Sequence, residues 1–321
     1  MRISVVMCTY NGARFLPEQL ESIAAQTEIP HELVICDDRS SDESVEIIEA
    51  FLRRVLFATR LEINELNCGS TKNFEKAIGL CRGDIIVLAD QDDIWCPQKL
   101  SCLAEVFARD EAVGAVFSDA FLIDENSRAM SGTLWQSCQF NSSEQTKFAH
   151  GHGLKILLKH PVVTGATMAF RSEFRDLVLP VPRGHVHDRW LSLLIASVSR
   201  IVPIPSPLIH YRKHADQQIG LGAQTFSDKL NLAINTTRSS YLEEVRFWRD
   251  VIERLCASGA KFRAHQGTVD LVRQTLCHRE ARGSLPQSKL SRLPFLLKET
   301  LSLRYWRYSN GLSSLAKDLL M

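Results

Sequence analysis

Apolar residues in the first 120 positions fall into two alternating rhythms. Short continuous runs, "ISVVMCT", "HELVICDD", "GDIIVLAD" and "AVGAVFSDA", read as strands buried on both faces. "ATRLEIN" reads as a further strand between the second and third of these. The intervening segments repeat at helical spacing. "ARFLPEQLESIAAQ" places Phe15, Leu16, Leu20, Ile23 and Ala24 on one face. "SDESVEIIEAFLRRV" predicts a second helix, with Ser41 or Asp42 as its N-cap. "STKNFEKAIGLC" predicts a third, starting near Ser70 or Thr71, and "PQKLSCLAEVFA" a fourth, with Pro97 in its first turn. Strands alternating with helices predict an α/β fold on a doubly wound, mostly parallel sheet.

From about Asn141 the alternation loosens. "FAHGHGLKILLKH" predicts a helix, "VVTGATMAF" is an apolar run, and "HDRWLSLLIASVSR" is strongly amphipathic. "IVPIPSPLIHYRKH" is extended and proline-rich, and from about Gly222 the periodicity is mostly helical. The expected organisation is a domain over 1–220 followed by a mainly helical extension over 221–321.

Composition narrows the function classes. Of 321 residues, 45% are hydrophobic and 23% charged, as in ordinary globular proteins. The formal net charge of +1 gives no electrostatic case for nucleic acid. Nine cysteines without a Cys-x-x-Cys pair suggest free thiols rather than a zinc or disulfide framework. The start has no signal-peptide layout, and the longest apolar runs fall well short of the roughly 20 residues that span a bilayer. A cytoplasmic protein is expected.

Acidic residues gather where the strands end. "CDDRSSD" follows the second strand and "ADQDDIW" the fourth. Ligands bind at this edge of open α/β sheets, so Asp37, Asp38, Asp90, Asp92 and Asp93 are expected around one crevice. Carboxylates this close oppose each other's ionisation, and a divalent cation removes the conflict. No glycine-rich phosphate loop or dinucleotide fingerprint is present. Position alone leaves Asp188, at the head of an apolar helix, as either a helix cap or a general base.

"SVVMCTYNGARFLPEQLESIAAQT", "LVICDDRSSDES" and "NCGSTKNFEKAIGLCRGDIIVLADQDDIWCPQKL" together resemble the family 2 glycosyltransferases with the GT-A fold. "DQDDIW", "HDRWLSLL" and "YRKHADQQIG" look most like the bacterial rhamnosyltransferase-type members. The resemblance covers about residues 2–220. It implies transfer of a sugar, rhamnose among the candidates, from a nucleoside diphosphate to a hydroxyl of a glycan or lipid-linked glycan in cell-surface polysaccharide synthesis. It also implies Mn2+ or Mg2+. Thr9, Tyr10 and Asn11 fall in the segment that contacts the nucleoside, and Asp38 where the base is read. Asn67, Lys72 and Asn73 lie along the nucleotide, Lys72 being either a phosphate contact or an exposed helical lysine. Asp90 and Asp92 match the Asp-x-Asp motif, with Asp92 on the metal and Asp90 near the ribose or a water on the metal. Asp188 matches the base that activates the acceptor. His214 falls where the family returns to the diphosphate, as a metal or phosphate ligand, and Arg212 where a cation neutralises phosphate. His187 would tune Asp188 or sit on the surface. Trp95 and Trp190 would wall the acceptor pocket or fill the core.

Two other classes stay open at this level: a non-catalytic sugar-nucleotide-binding module, and an aspartyl-phosphate phosphatase, which would place its acids after the first strand of its core. The tail "KLSRLPFLLKETLSLRYWRYSNGLSSLAKDLLM" interleaves apolar and basic residues. It suits peripheral contact with the inner face of a membrane, a helix docked on the domain, or a homodimer contact.

Overall fold

The computed structural model describes residues 1–215, 217 and 238–320. The boundary expected at 220/221 lies outside these residues, as does the first part of the helical stretch beyond it. Among the described residues the strands are β1 (Ile3–Thr9), β2 (Glu32–Asp37), β3 (Ala58–Ile63), β4 (Ile85–Ala89), β5 (Ile94–Trp95), β6 (Val113–Asp124), β7 (Ala129–Thr133), β8 (Met168–Arg171) and β9 (Arg200–Lys213). They form one sheet in the order β3-β2-β1-β4-β8-β6-β9-β5, with β7 paired to β6. The pairs β1–β2, β1–β4, β2–β3 and β6–β9 are parallel. β8 runs antiparallel to both β4 and β6. The sheet is therefore mixed but mostly parallel in its first half.

Parallel pairing follows from the crossover helices α1 (Leu16–Ala24), α2 (Ser44–Leu52) and α3 (Ser70–Leu80). Successive strand residues point to opposite faces, and both faces are covered. On one, Val5, Met7, Leu33 and Ile35 pack against Leu20 and Ile23 of α1 and Ile48 and Phe51 of α2. Leu100, Leu103 and Phe107 of α4 (Lys99–Arg109) join that layer. On the other, Val6, Val34, Ile86 and Leu88 pack against Phe74, Ala77 and Ile78 of α3. This two-sided burial is why these strands read as unbroken apolar runs.

The structure departs from the sequence reading at β5, at the short helices over Leu134–Ser137, Ser142–Lys147 and Arg175–Val178, and at three further segments. The hairpin strand β7 went unread because "AMSGT" is polar and mostly exposed. The single helix expected over 148–160 is broken near Gly151, whose φ of +83° is outside the helical range. The fifth strand of the sequence reading extends to twelve residues as β6. After the short helices α5 (Leu134–Ser137), α6 (Ser142–Lys147), α7 (Gly153–Leu157) and α8 (Arg175–Val178) comes α9 (His187–Val198).

The C-terminal part is helical, as expected: α10 (Arg238–Ala257), α11 (Gln266–Gly283), α12 (Lys289–Leu301), α13 (Arg304–Tyr308) and α14 (Leu312–Leu320). It does not stand apart. Phe247, Trp248 and Val251 of α10 share one apolar core with Trp190 and Leu191 of α9 and with Phe74. Arg189 seals the seam with two hydrogen bonds to the Glu244 carboxylate, 2.5 and 2.9 Å long. Arg189 and Arg279 hold Glu244 down to about 2, against the burial that pushes it up.

Candidate active site

The register of the parallel strands delivers chemistry to one edge. Thr9 at the end of β1 lies opposite Asp37 at the end of β2, and Met7 lies opposite Ala89. Asp90 therefore leaves the sheet at the same edge, and the chain turns back into β5 through Gln91, Asp92 and Asp93. Ligand atoms of Asp90, Asp92 and Asp93 all lie within 4.8 Å of one another. Asp93 is buried; one carboxylate oxygen accepts the Arg212 backbone N–H at 3.0 Å, and the other has no partner. Burial, then Asp92 and Asp90, drive the Asp93 carboxyl well above its ordinary range. Burial, then Asp92 and Asp188, push Asp90 up to about 7.

A cation faces this cluster that sequence reasoning missed. Lys99 is fully buried, its ammonium 2.8 Å from the Ala166 carbonyl oxygen and 3.6 Å from the centre of the Trp95 ring. Burial pulls it down to about 7, against the pull of Asp93 and Asp90. Its signal was legible: Lys99, Leu103 and Phe107 share one face of α4, so a lysine occupies a core position. Trp95 is buried as the floor under Lys99, so of its two expected places, acceptor wall or core, it takes the core.

β9 closes the site from the other end of the chain. Ile94 pairs with His210 and Trp95 with Ile209, carrying Arg212 and His214 back to the acid turn. His214 Nε2 is 2.8 Å from Asp92 Oδ2. Arg212 departs from expectation. Its guanidinium is buried and donates to the Asp92 carbonyl at 2.7 Å, to Ser127 Oγ at 2.8 Å and to Glu18 Oε2 at 2.5 Å. Those partners satisfy it inside the protein, so it braces the acid turn and does not face a phosphate.

The expected nucleotide residues divide into two groups. Tyr10, Asn11 and Asn67 lie exposed along the edge. Gln91 clasps the Tyr10 backbone, accepting its N–H at 2.8 Å and donating to its carbonyl at 3.1 Å. Asn11, at φ +48°, accepts the Ser41 N–H at 2.8 Å. Asn67 donates to the Asp38 carbonyl at 3.3 Å. The second group is turned inward. Thr9 is buried and donates to Asp37 Oδ2 at 2.6 Å. Asn73 is buried and donates to the Cys36 carbonyl at 2.7 Å. The Lys72 ammonium donates to Glu75 and to the Val181 carbonyl, both at 2.7 Å, so it is neither a free phosphate contact nor an unpaired surface lysine. Asp38 is buried, and its carboxylate accepts from Asn64 Nδ2, the Cys68 N–H and the Gly69 N–H at 2.8–2.9 Å. Burial pushes Asp38 up, but these donors outweigh it and hold the acid below its usual range. Here Asp38 pins the loop between β3 and α3, and does not present an open carboxylate to a base.

Asp188 stands at the second position of α9, past the N-cap Val186, so it is a first-turn acid rather than the cap. Its Oδ1 accepts the Arg189 N–H at 2.5 Å, and its Oδ2 accepts the Gly165 N–H at 3.1 Å. It is half-buried, and its charge reaches Asp90, where it helps raise that acid. Gly165 allows this approach: a Cβ there would meet His187 Nε2 at 3.1 Å and Asp188 Cβ at 3.5 Å. His187 is not a surface residue. It is buried and stacked on Phe74 with ring centres 4.2 Å apart, and neither ring nitrogen has a partner. Burial lowers its pKa, which keeps the ring neutral at pH 7. His185 bonds Asp250 at 2.7 Å, away from Asp188. Trp190 is fully buried and donates its indole N–H to the Val178 carbonyl at 2.8 Å, so it too is core and not an acceptor wall.

Three carboxylates, a fourth acid in electrostatic reach, an unpartnered buried oxygen and an imidazole make a donor set suited to a hard divalent cation. Lys99 is a buried counter-charge for Asp93 and Asp90, and the clustered carboxylates leave a surplus of acids over it. That surplus fits Mn2+ or Mg2+.

The comparisons with known proteins agree with this architecture. An uncharacterised glycosyltransferase of Nostoc is 33% identical over 217 residues, which is 67% of this chain and 65% of that protein. The matches span less than two thirds of the length of this and the next curated relatives. TarS residues 1–349 of S. aureus, solved with UDP-GlcNAc, superpose with a TM-score of 0.60 at 17% identity, over 99% of this chain and 82% of that one. The mannosyltransferase PcManGT of Pyrobaculum calidifontis, solved with GDP-Man and Mn2+, gives 0.54 at 16% identity, over 94% and 75%. At these identities the two likenesses speak to the fold. Residues 4–177, more than half of the chain, match the family described as glycosyl transferase family 2, and the chain belongs to that family.

Proposed function

We propose that the protein transfers a sugar from a nucleoside-diphosphate sugar to an acceptor hydroxyl, with inversion, using Asp188 as general base. The observation that carries this reading is the position of Asp188. It is anchored to the Gly165 amide and lies close enough to Asp90 to raise that acid. A base and a charge-neutralising centre on opposite sides of one reacting carbon are what an inverting displacement needs.

Asp92 would hold a divalent cation, with His214 beside it and Asp90 toward the ribose. When bound, the cation neutralises the departing diphosphate. Asp93 and Arg212 hold the turn that carries Asp92. The exposed edge around Tyr10, Asn11 and Asn67 is where the nucleoside would lie. Asp188 would take the proton from the acceptor hydroxyl as its oxygen attacks the anomeric carbon. The Gly165 amide keeps the carboxylate aimed as that proton moves. The nucleotide-sugar complexes of TarS and the GDP-Man and Mn2+ complex of PcManGT support this reading.

The acceptor class favoured is a glycan or lipid-linked glycan. The rhamnosyltransferase-type motifs place a rhamnosyl donor first in any panel. The test is release of nucleoside diphosphate from a panel of nucleotide sugars, with Mn2+, with Mg2+ and with chelator. Release from at least one donor, abolished by chelator, is expected. No release from any donor in either metal would overturn the proposal.

A further inference from the structure

Helix α12 is built inside out. Its buried residues include Arg292, 4% exposed, and Glu299, 5% exposed, alongside Leu296. Its leucines at 290, 293, 297 and 301 follow spacings of three and four, so they form one line along the helix. That line faces outward, from Leu290 at 79% to Leu301 at 75% exposed. An amphipathic helix on a globular protein does the reverse.

The inward polar residues are satisfied. Arg292 donates to the carbonyls of Pro286, Gln287 and Asp318 at 2.6–3.1 Å. Glu299 lies 2.7 Å from His278 Nδ1 and accepts from Arg304 at 2.9 Å. The helix is thus locked in this orientation by its polar face, and turning the leucines inward would strand an arginine and a glutamate. Leu303 and Trp306 extend the exposed apolar surface beyond the helix.

Charge says what covers it. Between residues 284 and 320 the acids are Glu299 and Asp318, both buried. Asp318 is tied to Arg282 at 2.7 and 2.8 Å. The exposed charged residues of the segment are Lys289, Lys298 and Arg307, all cationic. A leucine line rimmed only by cations, with a tryptophan at its end, matches an anionic bilayer interface. A second copy of the chain would bring like charges together across a two-fold contact. Among the described residues no helix is long and apolar enough to cross a membrane, so the surface would lie on the bilayer.

We infer that α12 and the residues after it dock the protein on anionic phospholipid, with Leu290, Leu293, Leu297 and Leu301 in the acyl boundary. This does not depend on the transferase reading. The test is co-sedimentation of the full chain with phosphatidylcholine vesicles and with vesicles that also contain phosphatidylglycerol. Binding to the anionic vesicles alone, weakened by salt, is expected. Leu290→Ser, Leu293→Ser, Leu297→Ser and Leu301→Ser together should lower the partition coefficient by at least about tenfold. Lys289→Glu with Lys298→Glu and Arg307→Glu should do the same. Both variants should melt with the wild type, because the altered side chains are exposed. Equal sedimentation with both vesicle types, or unchanged binding by a folded leucine variant, would overturn the inference. So would a wild-type chain that ignores vesicles but forms a dimer that the leucine variant loses.

Discussion

The imidazole of His214 meets the carboxylate of Asp92 at 2.8 Å, across 122 residues of chain. The contact ties the last strand of the sheet to the turn after β4. If Asp92 holds a cation, His214 either joins it or orients the acid. Asp92→Asn keeps the size and removes the charge, so Mn2+ affinity in the presence of a nucleoside diphosphate should fall. Loss of a residue that merely orients a ligand costs about 10–100-fold, and loss of the ligand itself should cost at least that. Calorimetry reads it directly. His214→Ala should weaken binding less than Asp92→Asn does.

Lys99 should prove structural as well as electrostatic. Lys99→Met removes the buried cation that offsets Asp93 and Asp90. Its ammonium donates to the Ala166 carbonyl and makes no ion pair with a described carboxylate, so urea denaturation should show a loss of about 1–3 kcal/mol, the cost of stranding buried polar groups. Adding Asp93→Asn should recover much of it, because the uncompensated charge goes too. A double mutant whose losses simply add would show that the two groups do not interact.

Gly165→Ala tests the support of Asp188. The new Cβ would crowd the His187 ring at 3.1 Å and press on Asp188. Turnover should fall by about tenfold or more, since small displacements of a reacting group are costly. Nucleoside diphosphate affinity should hold, because the glycine is not on the nucleotide edge.

The docked helices should respond to acid through Glu244. Its folded pKa of about 2 lies below the ordinary 4.5, so its contribution is fully present above 4.5 and is lost as pH falls toward 2. By linkage the gap in stability between wild type and Glu244→Gln should be about 3 kcal/mol at pH 7, shrinking to about 1.5 at pH 3. Urea titrations at the two pH values measure it. A gap that stays constant would remove the Arg189–Glu244 contact from the acid response.

Much of the fold was legible because its physics is local. β1, β2 and β4 are apolar on both faces, and α1 to α4 each carry one stripe. The acid turn was legible because like charges so close in sequence demand an explanation. What escaped was direction and distance. A tryptophan reads the same in a pocket wall or a core, and Trp95 and Trp190 are both core. Asp38 finds its donors 26–31 residues away, and Arg212 reaches Glu18 across 194. The leucine stripe of α12 shows that periodicity locates an apolar face without saying which way it points.

Asp188 is the group on which the proposed transfer turns, and one comparison tests it. Wild type and Asp188→Asn are assayed side by side for nucleoside diphosphate release from the best donor of the panel, with nucleoside diphosphate affinity measured on the same samples. Asparagine keeps one acceptor oxygen for the Gly165 amide and gives up the bond to the adjacent Arg189 amide, a local change that should leave the fold and donor binding preserved. Release should fall by about a hundredfold to ten-thousandfold, the usual worth of a positioned proton acceptor. A folded variant that binds nucleoside diphosphate and turns over like the wild type would contradict Asp188 as the base.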